Sequence, residues 1–242
     1  MAQQKAALIT GASSGIGLAI ARMLGEEGYA LTLAARRPDK LRAAADALRA
    51  DGLEVQDVAA LLSEEDAVKQ VVAAHRERYG RLDVLVNNAG VGIGAVVAEI
   101  QTKKLDMQLD VNLRTIVLFY REAVELLRAA AAENGTAQVI NTASISGKRG
   151  QAWLSVYSAT KAGVVGWTEA MNKELAPEGI KSCALCPAFV DTPMTDFAKA
   201  NGVEAEKMIR PEDIAESVRL LLKVSSACLI PEIIFERPGD AL

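Results

Sequence analysis

The stretch that decides the fold is Thr10-Gly11-Ala12-Ser13-Ser14-Gly15-Ile16-Gly17. It joins a short apolar run at 5–10, read as a buried strand, to 16–28, where apolar residues at 16, 19, 20, 23 and 24 predict a helix. Strand, glycine-rich turn and helix form the context that a dinucleotide site requires. Glycine lets the backbone turn tightly and approach a pyrophosphate with no Cβ in the way. The helix N-terminus then offers unpaired N–H groups and the positive end of its dipole. Ser13 and Ser14 can add hydroxyl donors. Taken alone, the same turn also reads as a tight packing turn, and its T-G-x-x-x-G-x-G spacing is not the common G-x-G-x-x-G.

Outward from the turn, short apolar runs alternate with longer helical periods. Strands are expected at 29–35, 53–58, 82–87, 136–142, 180–186 and 229–235. Helices are expected at 39–50, 64–79, 102–132, 155–175 and 211–224, the last with proline at its start, where a missing N–H costs nothing. Alternation of this kind makes βαβ units and a parallel sheet. The expected fold is α/β: a single Rossmann-type, doubly wound domain over 1–242, with a seven-stranded parallel sheet flanked by helices. Residues 1–135 form its cofactor half and 136–242 its catalytic and substrate half.

Composition excludes other classes. The net charge of −4 is interspersed, with no basic run for nucleic acid. No stretch is apolar enough to span a membrane, and the first residues lack a signal-peptide pattern. Three cysteines, 183, 186 and 228, fit a reducing compartment, so a cytoplasmic protein is expected. Cys183-x-x-Cys186 lies in an apolar strand, where residues three apart face opposite sides. With one histidine and no second such pair, no metal site is expected. His75 reads as a solvated residue of a polar helix.

Tyr157 and Lys161 lie four apart in a helical stretch and so share a face. A free tyrosine titrates near 10 and is a poor base at neutral pH; a neighbouring ammonium would lower that value. The pair therefore suits acid/base work.

Taken together, the motifs resemble the short-chain dehydrogenase/reductase family. The T-G-x-x-x-G-x-G turn has its spacing, and Asn87-Asn88-Ala89-Gly90 after the fourth strand is similar to its second landmark. Asn112, Ser144, Tyr157-Ser158-Ala159-Thr160-Lys161, Pro187 and Thr192 follow in family order, with Ser144 13 residues before the tyrosine. The resemblance spans about 5–235. It implies hydride transfer between a nicotinamide cofactor and a carbonyl or alcohol. Tyr157 would act as acid/base and Ser144 would steady the substrate oxygen. Lys161 would also bind the nicotinamide ribose, and Asn112 would hold a proton-relaying water. It also implies cofactor contacts at Gly11, Ser13, Ser14, Gly15, Ile16, Gly17, Asn88, Ala89, Gly90, Tyr157, Lys161, Pro187, Val190 and Thr192, with Asp57 and Val58 at the adenine. Pro187-Ala188 stands where the family usually has Pro-Gly.

The end of the second strand chooses the cofactor. A carboxylate there would hold a ribose 2′-hydroxyl and repel a 2′-phosphate. Here Ala34 and Ala35 precede Arg36 and Arg37, and a guanidinium can grip a phosphate bidentately. NADP(H) is expected, with Arg36 the main contact and Arg37 its helper, although Ser14 stands where many NADP-type relatives carry a basic residue.

Substrate choice falls to the loop at 188–210, with Phe189, Met194 and Phe197, while Trp153 and Ile145 are expected on the other wall. Lys148 and Arg149 read as solvated rather than as an anion trap. A general carbonyl reductase is the first reading. A 3-oxoacyl-(acyl carrier protein) reductase is an alternative, disfavoured by the absence of a Gly-rich C-terminal ending. A non-catalytic NADP(H)-binding sensor or scaffold is another, disfavoured because Tyr157 and Lys161 are both present. A homotetramer or homodimer is expected by the same resemblance, through surfaces such as Leu113, Ile116, Phe119 and the region of Trp167.

Overall fold

A computed structural model describes residues 3–200 and 202–239. Seven strands form one parallel sheet: β1 (Ala6–Thr10), β2 (Ala30–Ala35), β3 (Val55–Ala59), β4 (Val84–Asn87), β5 (Ala137–Thr142), β6 (Ile180–Pro187) and β7 (Glu232–Phe235). Their order in the sheet is β3-β2-β1-β4-β5-β6-β7. The direction of winding therefore reverses between β1 and β4. In open α/β sheets the binding crevice lies outside the carboxyl ends of the strands at that reversal.

Each strand alternates between the two faces. Ala7 and Ile9 of β1 join one apolar cluster, and Leu8 joins the other. The first cluster packs under α1 (Gly15–Glu26), α2 (Pro38–Ala50) and α8 (Pro211–Lys223). The second packs under α3 (Glu65–Tyr79), α5 (Thr115–Asn134) and α6 (Ser155–Leu175). With both faces covered, the strands read as apolar runs rather than as polar/apolar alternation. Cys183 and Cys186 belong to opposite clusters, as expected for residues three apart in a strand.

Three expectations need correction. The single helix expected over 102–132 is α4 (Thr102–Leu109), a π-helical turn at Asp110–Arg114, and α5. His75 is fully buried, not solvated. Its Nδ1 lies 2.8 Å from the Thr32 hydroxyl and its Nε2 2.8 Å from the Arg81 carbonyl. Nε2 must donate to the carbonyl, which leaves Nδ1 to accept from Thr32 and the ring neutral. Ile116 and Phe119 point into the core and offer nothing to a partner surface. A short α7 (Asp196–Ala200) lies in the loop after β6.

Candidate active site

The site grows from the ends of β1 and β4. Thr10 closes β1, and its hydroxyl accepts the Asn88 and Ala89 N–H groups at 2.9 and 3.0 Å while donating to the Val86 carbonyl. Asn88 Nδ2 returns to the Thr10 carbonyl at 3.2 Å, and its Oδ1 accepts from Thr142 at the end of β5. The two loops are thereby stitched together. Gly11 sits at φ +65° in the left-handed region, and a Cβ there would come within 2.9 Å of the Ala89 backbone, so only glycine fits. Gly17 is closed against the Gly11 carbonyl in the same way, at 2.6 Å, and lies behind the turn rather than on the cavity wall.

A cavity of about 1140 Å³ opens over these loops. One end is lined by Ser13, Ser14, Gly15 and Ile16, where α1 begins without a side-chain cap. Its first N–H groups are therefore left for a ligand anion. The wall continues through Ala35, Arg36 and Arg37. Both guanidinium groups are exposed and make no hydrogen bond or ion pair among the described residues. Asn88, Ala89, Gly90, Pro187, Val190 and Thr192 complete this wall. Asp57 and Val58 do not reach it. Asp57 pairs with Arg49 at 2.5 Å, and Val58 packs into the core. Leu61 and Leu62 line the cavity instead, because the strand runs on to Ala59 and only residues past its end face the crevice.

The far end holds Ser144, Tyr157 and Lys161. Ser144 follows β5, and its hydroxyl accepts the Ser146 N–H at 3.1 Å and donates to the Pro187 carbonyl at 3.5 Å, on the same cavity wall as the Tyr157 phenol. Tyr157 and Lys161 project from the first turns of α6, with Lys161 Nζ 5.7 Å from the Tyr157 ring centroid. Lys161 Nζ donates to the Thr142 carbonyl at 2.6 Å. Burial pulls the Lys161 ammonium down to about 8. Burial also pushes the Tyr157 phenol above its usual value, with the Ser144 hydroxyl opposing. This reverses the expected downward shift. Desolvation outweighs the neighbouring Ser144 hydroxyl here, and the phenol keeps its proton at neutral pH.

Asn112 sits in the π turn, fully buried. Its Oδ1 accepts the Val91 N–H at 2.8 Å, and its Nδ2 donates to the Val91 carbonyl and to Thr160. The side chain therefore ties the loop after β4 to α6. A Cβ on Gly90 would lie 3.4 Å from Asn112 Oδ1 and 3.5 Å from Lys161 Nζ, so the three converge.

The Ser144 loop has supports that the sequence reading missed. Gly147 lies so close to the Lys161 backbone that a Cβ would come within 2.6 Å of its carbonyl carbon. Lys148 and Arg149 are not simply solvated: they pair with Glu232 and Glu236 at 2.9 and 2.8 Å and strap the loop to the β7 edge. Met194 is on the cavity wall, whereas Ile145 and Trp153 are not. Phe189 and Phe197 meet edge to face, 6.3 Å between centroids.

A profile of the short chain dehydrogenase family matches residues 5–202. The chain belongs to the short-chain dehydrogenase family. It is an oxidoreductase of that family. It is 43% identical over 190 residues to a Streptomyces virginiae protein named "Monensin polyketide synthase putative ketoacyl reductase", covering 78% of this chain and 72% of that one. Among solved structures, it resembles a variant of actinorhodin polyketide ketoreductase with NADPH, at 34% identity, TM-score 0.88 and 97% coverage of both chains. It also resembles an alcohol dehydrogenase from the archaeon Thermococcus sibiricus complexed with 5-hydroxy-NADP, at 30% identity, TM-score 0.88 and 98% coverage of both. No helix among the described residues is long and apolar enough to cross a membrane.

Proposed function

We propose that this short-chain dehydrogenase reduces a carbonyl compound with NADPH, Tyr157 acting as general acid. The observation that carries the reading is convergence. One cavity has the uncapped α1 N-terminus and two arginines unpaired among the described residues at one end, and Ser144, Tyr157 and Lys161 at the other. The residues present fit the cofactor. Glycines 11 and 15 form a cradle that a Cβ would fill, the Gly15 Cβ coming within 2.9 Å of Thr192. Ser13, Ser14, Gly15 and Ile16 would hold the pyrophosphate, Arg36 and Arg37 the 2′-phosphate, and Leu61 and Leu62 an apolar ring face at the adenine end. Asn88, Ala89, Gly90, Pro187, Val190 and Thr192 would line the rest. When bound, the cofactor supplies the hydride.

The protein's own part is proton and charge control. Ser144 hydrogen-bonds the substrate oxygen, and Tyr157 delivers its proton as that oxygen becomes an alkoxide. A phenol held protonated by burial is the right form for that step. Lys161 would hold the cofactor's ribose and supplies positive charge near the phenol. Asn112 fixes the Val91 backbone beside them, a positioning duty that its saturated hydrogen bonds support.

Kinship with a named ketoacyl reductase favours a second reading, in which the substrate is a 3-oxoacyl group on a carrier. Three free cysteines suit a reducing compartment, and we assign the protein to the cytoplasm. Exposed Leu229 and Ile234, just before and within β7 at the edge of the sheet, support a homodimer or homotetramer. The deciding experiment follows NADPH oxidation by the purified protein over a panel of ketones, beside Tyr157→Phe. Loss of about a hundredfold or more in turnover with unchanged NADPH affinity is expected. Equal turnover by the variant refutes the role of Tyr157.

A further inference from the structure

Ser144 opens a short turn that its own backbone knits together. The Gly147 N–H donates to the Ser144 carbonyl at 2.9 Å, and the Lys148 and Arg149 N–H groups donate to the Ile145 carbonyl at 2.9 and 3.0 Å. The Ser146 N–H is bonded to the Ser144 hydroxyl itself. Residues 144–149 therefore move as one piece. At its near end β5 holds that piece, through the Ala143 N–H on the Leu185 carbonyl at 2.8 Å. Further on, Gly147 abuts α6, where a Cβ would come within 2.6 Å of the Lys161 carbonyl carbon. Such a contact stops the turn from moving inward and does nothing to stop it lifting away. Lifting the far end would turn Ser144 about Ala143 and swing its hydroxyl past Tyr157, which α6 carries. The hydroxyl's own tie to the Pro187 carbonyl is too long, at 3.5 Å, to resist.

Lys148 holds the far end down. Its ammonium donates to the Glu232 carboxylate of β7 at 2.9 Å. Glu232 stands opposite Ala184 in the sheet register, and Ala184 belongs to the face that α6 covers. A carboxylate on that face needs a cation beside it. The two side chains are 33% and 19% exposed, so the pair is better shielded than the surface pairs that contribute little. Arg149 adds a second, more open pair with Glu236. The same strand holds the other side of the site. Pro187 pairs with Phe235 in the sheet, and the Ala188 N–H donates to the Phe235 carbonyl at 2.9 Å. One edge strand thus fixes both Ser144 and Pro187, although none of its own residues lines the cavity.

We propose that Lys148 and Glu232 are positioning residues: their ion pair fixes the Ser144 hydroxyl against the Tyr157 phenol, so that both meet one carbonyl oxygen. The inference rests on the carbonyl-reductase reading and deepens it. Neither residue touches the substrate, and the pair acts through Ser144.

The test follows NADPH oxidation with ethyl acetoacetate, whose 3-oxo group suits both substrate readings. The proteins are the full chain, Lys148→Met, Lys148→Arg, Ser144→Ala and Ser144→Ala with Lys148→Met. Misplacing a catalytic group by about 1 Å can cost up to about a hundredfold, and a turn lifted at one end only should cost about tenfold in kcat for Lys148→Met. KM and NADPH affinity should stay within about twofold, the latter serving as the check on folding. Lys148→Arg keeps the ion pair and should stay within about threefold of the full chain. With Ser144 already replaced, Lys148→Met should cost less than about a further twofold, because no hydroxyl is left to misplace. A pair that merely supports the fold would cost the same in both backgrounds. Unchanged kcat in Lys148→Met, or an equal loss with and without the Ser144 hydroxyl, overturns the positioning role and leaves the reductase reading intact. No reduction of the ester by the full chain, with NADPH still bound, overturns both.

Discussion

Replacing Arg36 and Arg37 tests the cofactor reading where it is most exposed. Both guanidinium groups line the cavity at the end of β2 with no partner among the described residues to satisfy them. A bidentate guanidinium–phosphate contact is a charge-assisted pair worth about 1.5–3 kcal/mol. Both side chains are exposed, so water and salt screen them, and the lower half of that range applies. Arg36→Ala should cost about 1.5 kcal/mol, which is roughly tenfold in the NADPH dissociation constant. The double replacement with Arg37→Ala should approach about thirtyfold, less than additive because both would share one phosphate. NADH has no phosphate at that point, so its affinity should stay within about twofold. The assay is titration of each variant with NADPH and NADH, following cofactor fluorescence, at low and high salt. High salt should shrink the wild-type preference toward that of the variants. Equal weakening of both cofactors would mean that the arginines merely support the loop. No change in NADPH affinity would place phosphate recognition elsewhere.

Two further outcomes follow from titrating groups. Lys161 is held down to about 8, so it is an ammonium below that pH and neutral above it. Ketone reduction measured as kcat/KM should therefore be level near neutrality and decline above about pH 8, whereas a rate that climbs through that range would remove the ammonium from the mechanism. His75 is lowered from 6.5 to about 4 by burial. The unfolded chain then binds a proton that the folded one refuses between those values, so stability is complete above 6.5 and falls as pH drops toward 4. The span corresponds to about 3 kcal/mol at most, and urea unfolding at stepped pH should show that slope in the native protein and a flatter one in His75→Gln.

The parts of the molecule that the residues announced are those where one physical rule dominates. A sheet covered on both faces needs apolar strands, so Leu31, Leu33, Val84 and Val86 were legible as strand interior. The glycine turn was legible because Gly11 is both left-handed and too close to the Ala89 backbone for a Cβ. His75 was misread although the signal was present. Val68, Val71, Val72 and His75 follow the spacing of one helix face, and that face is the buried one. The misplacement of the adenine wall onto Asp57 and Val58 has a different origin. Those two were placed by the resemblance, and the wall instead begins four residues later, at Leu61 and Leu62, because β3 runs on to Ala59 and only residues past its end face the crevice. The π turn at Asn112 left no trace, because apolar spacing reports which face is buried and not whether a backbone bond skips one residue further.

What the sequence could show least is why the site holds its shape. Behind the cavity, Asn141 of β5 is fully buried and donates to Tyr120 of α5 at 2.8 Å and to Thr168 of α6 at 2.9 Å. It accepts from Asn87 of β4 at 2.9 Å, and Tyr120 goes on to Ser182 of β6. These elements carry Asn88, Ser144, Tyr157, Lys161 and Pro187. In an apolar interior a broken hydrogen bond leaves an unsatisfied group costing about 1–3 kcal/mol. Sliding any one element against the others would therefore break a bond at Asn141 or Tyr120. The polar network makes relative motion of the catalytic groups expensive where apolar packing alone would tolerate small slips. That rigidity is what lets an electrostatic site act without reorganising at the moment of reaction.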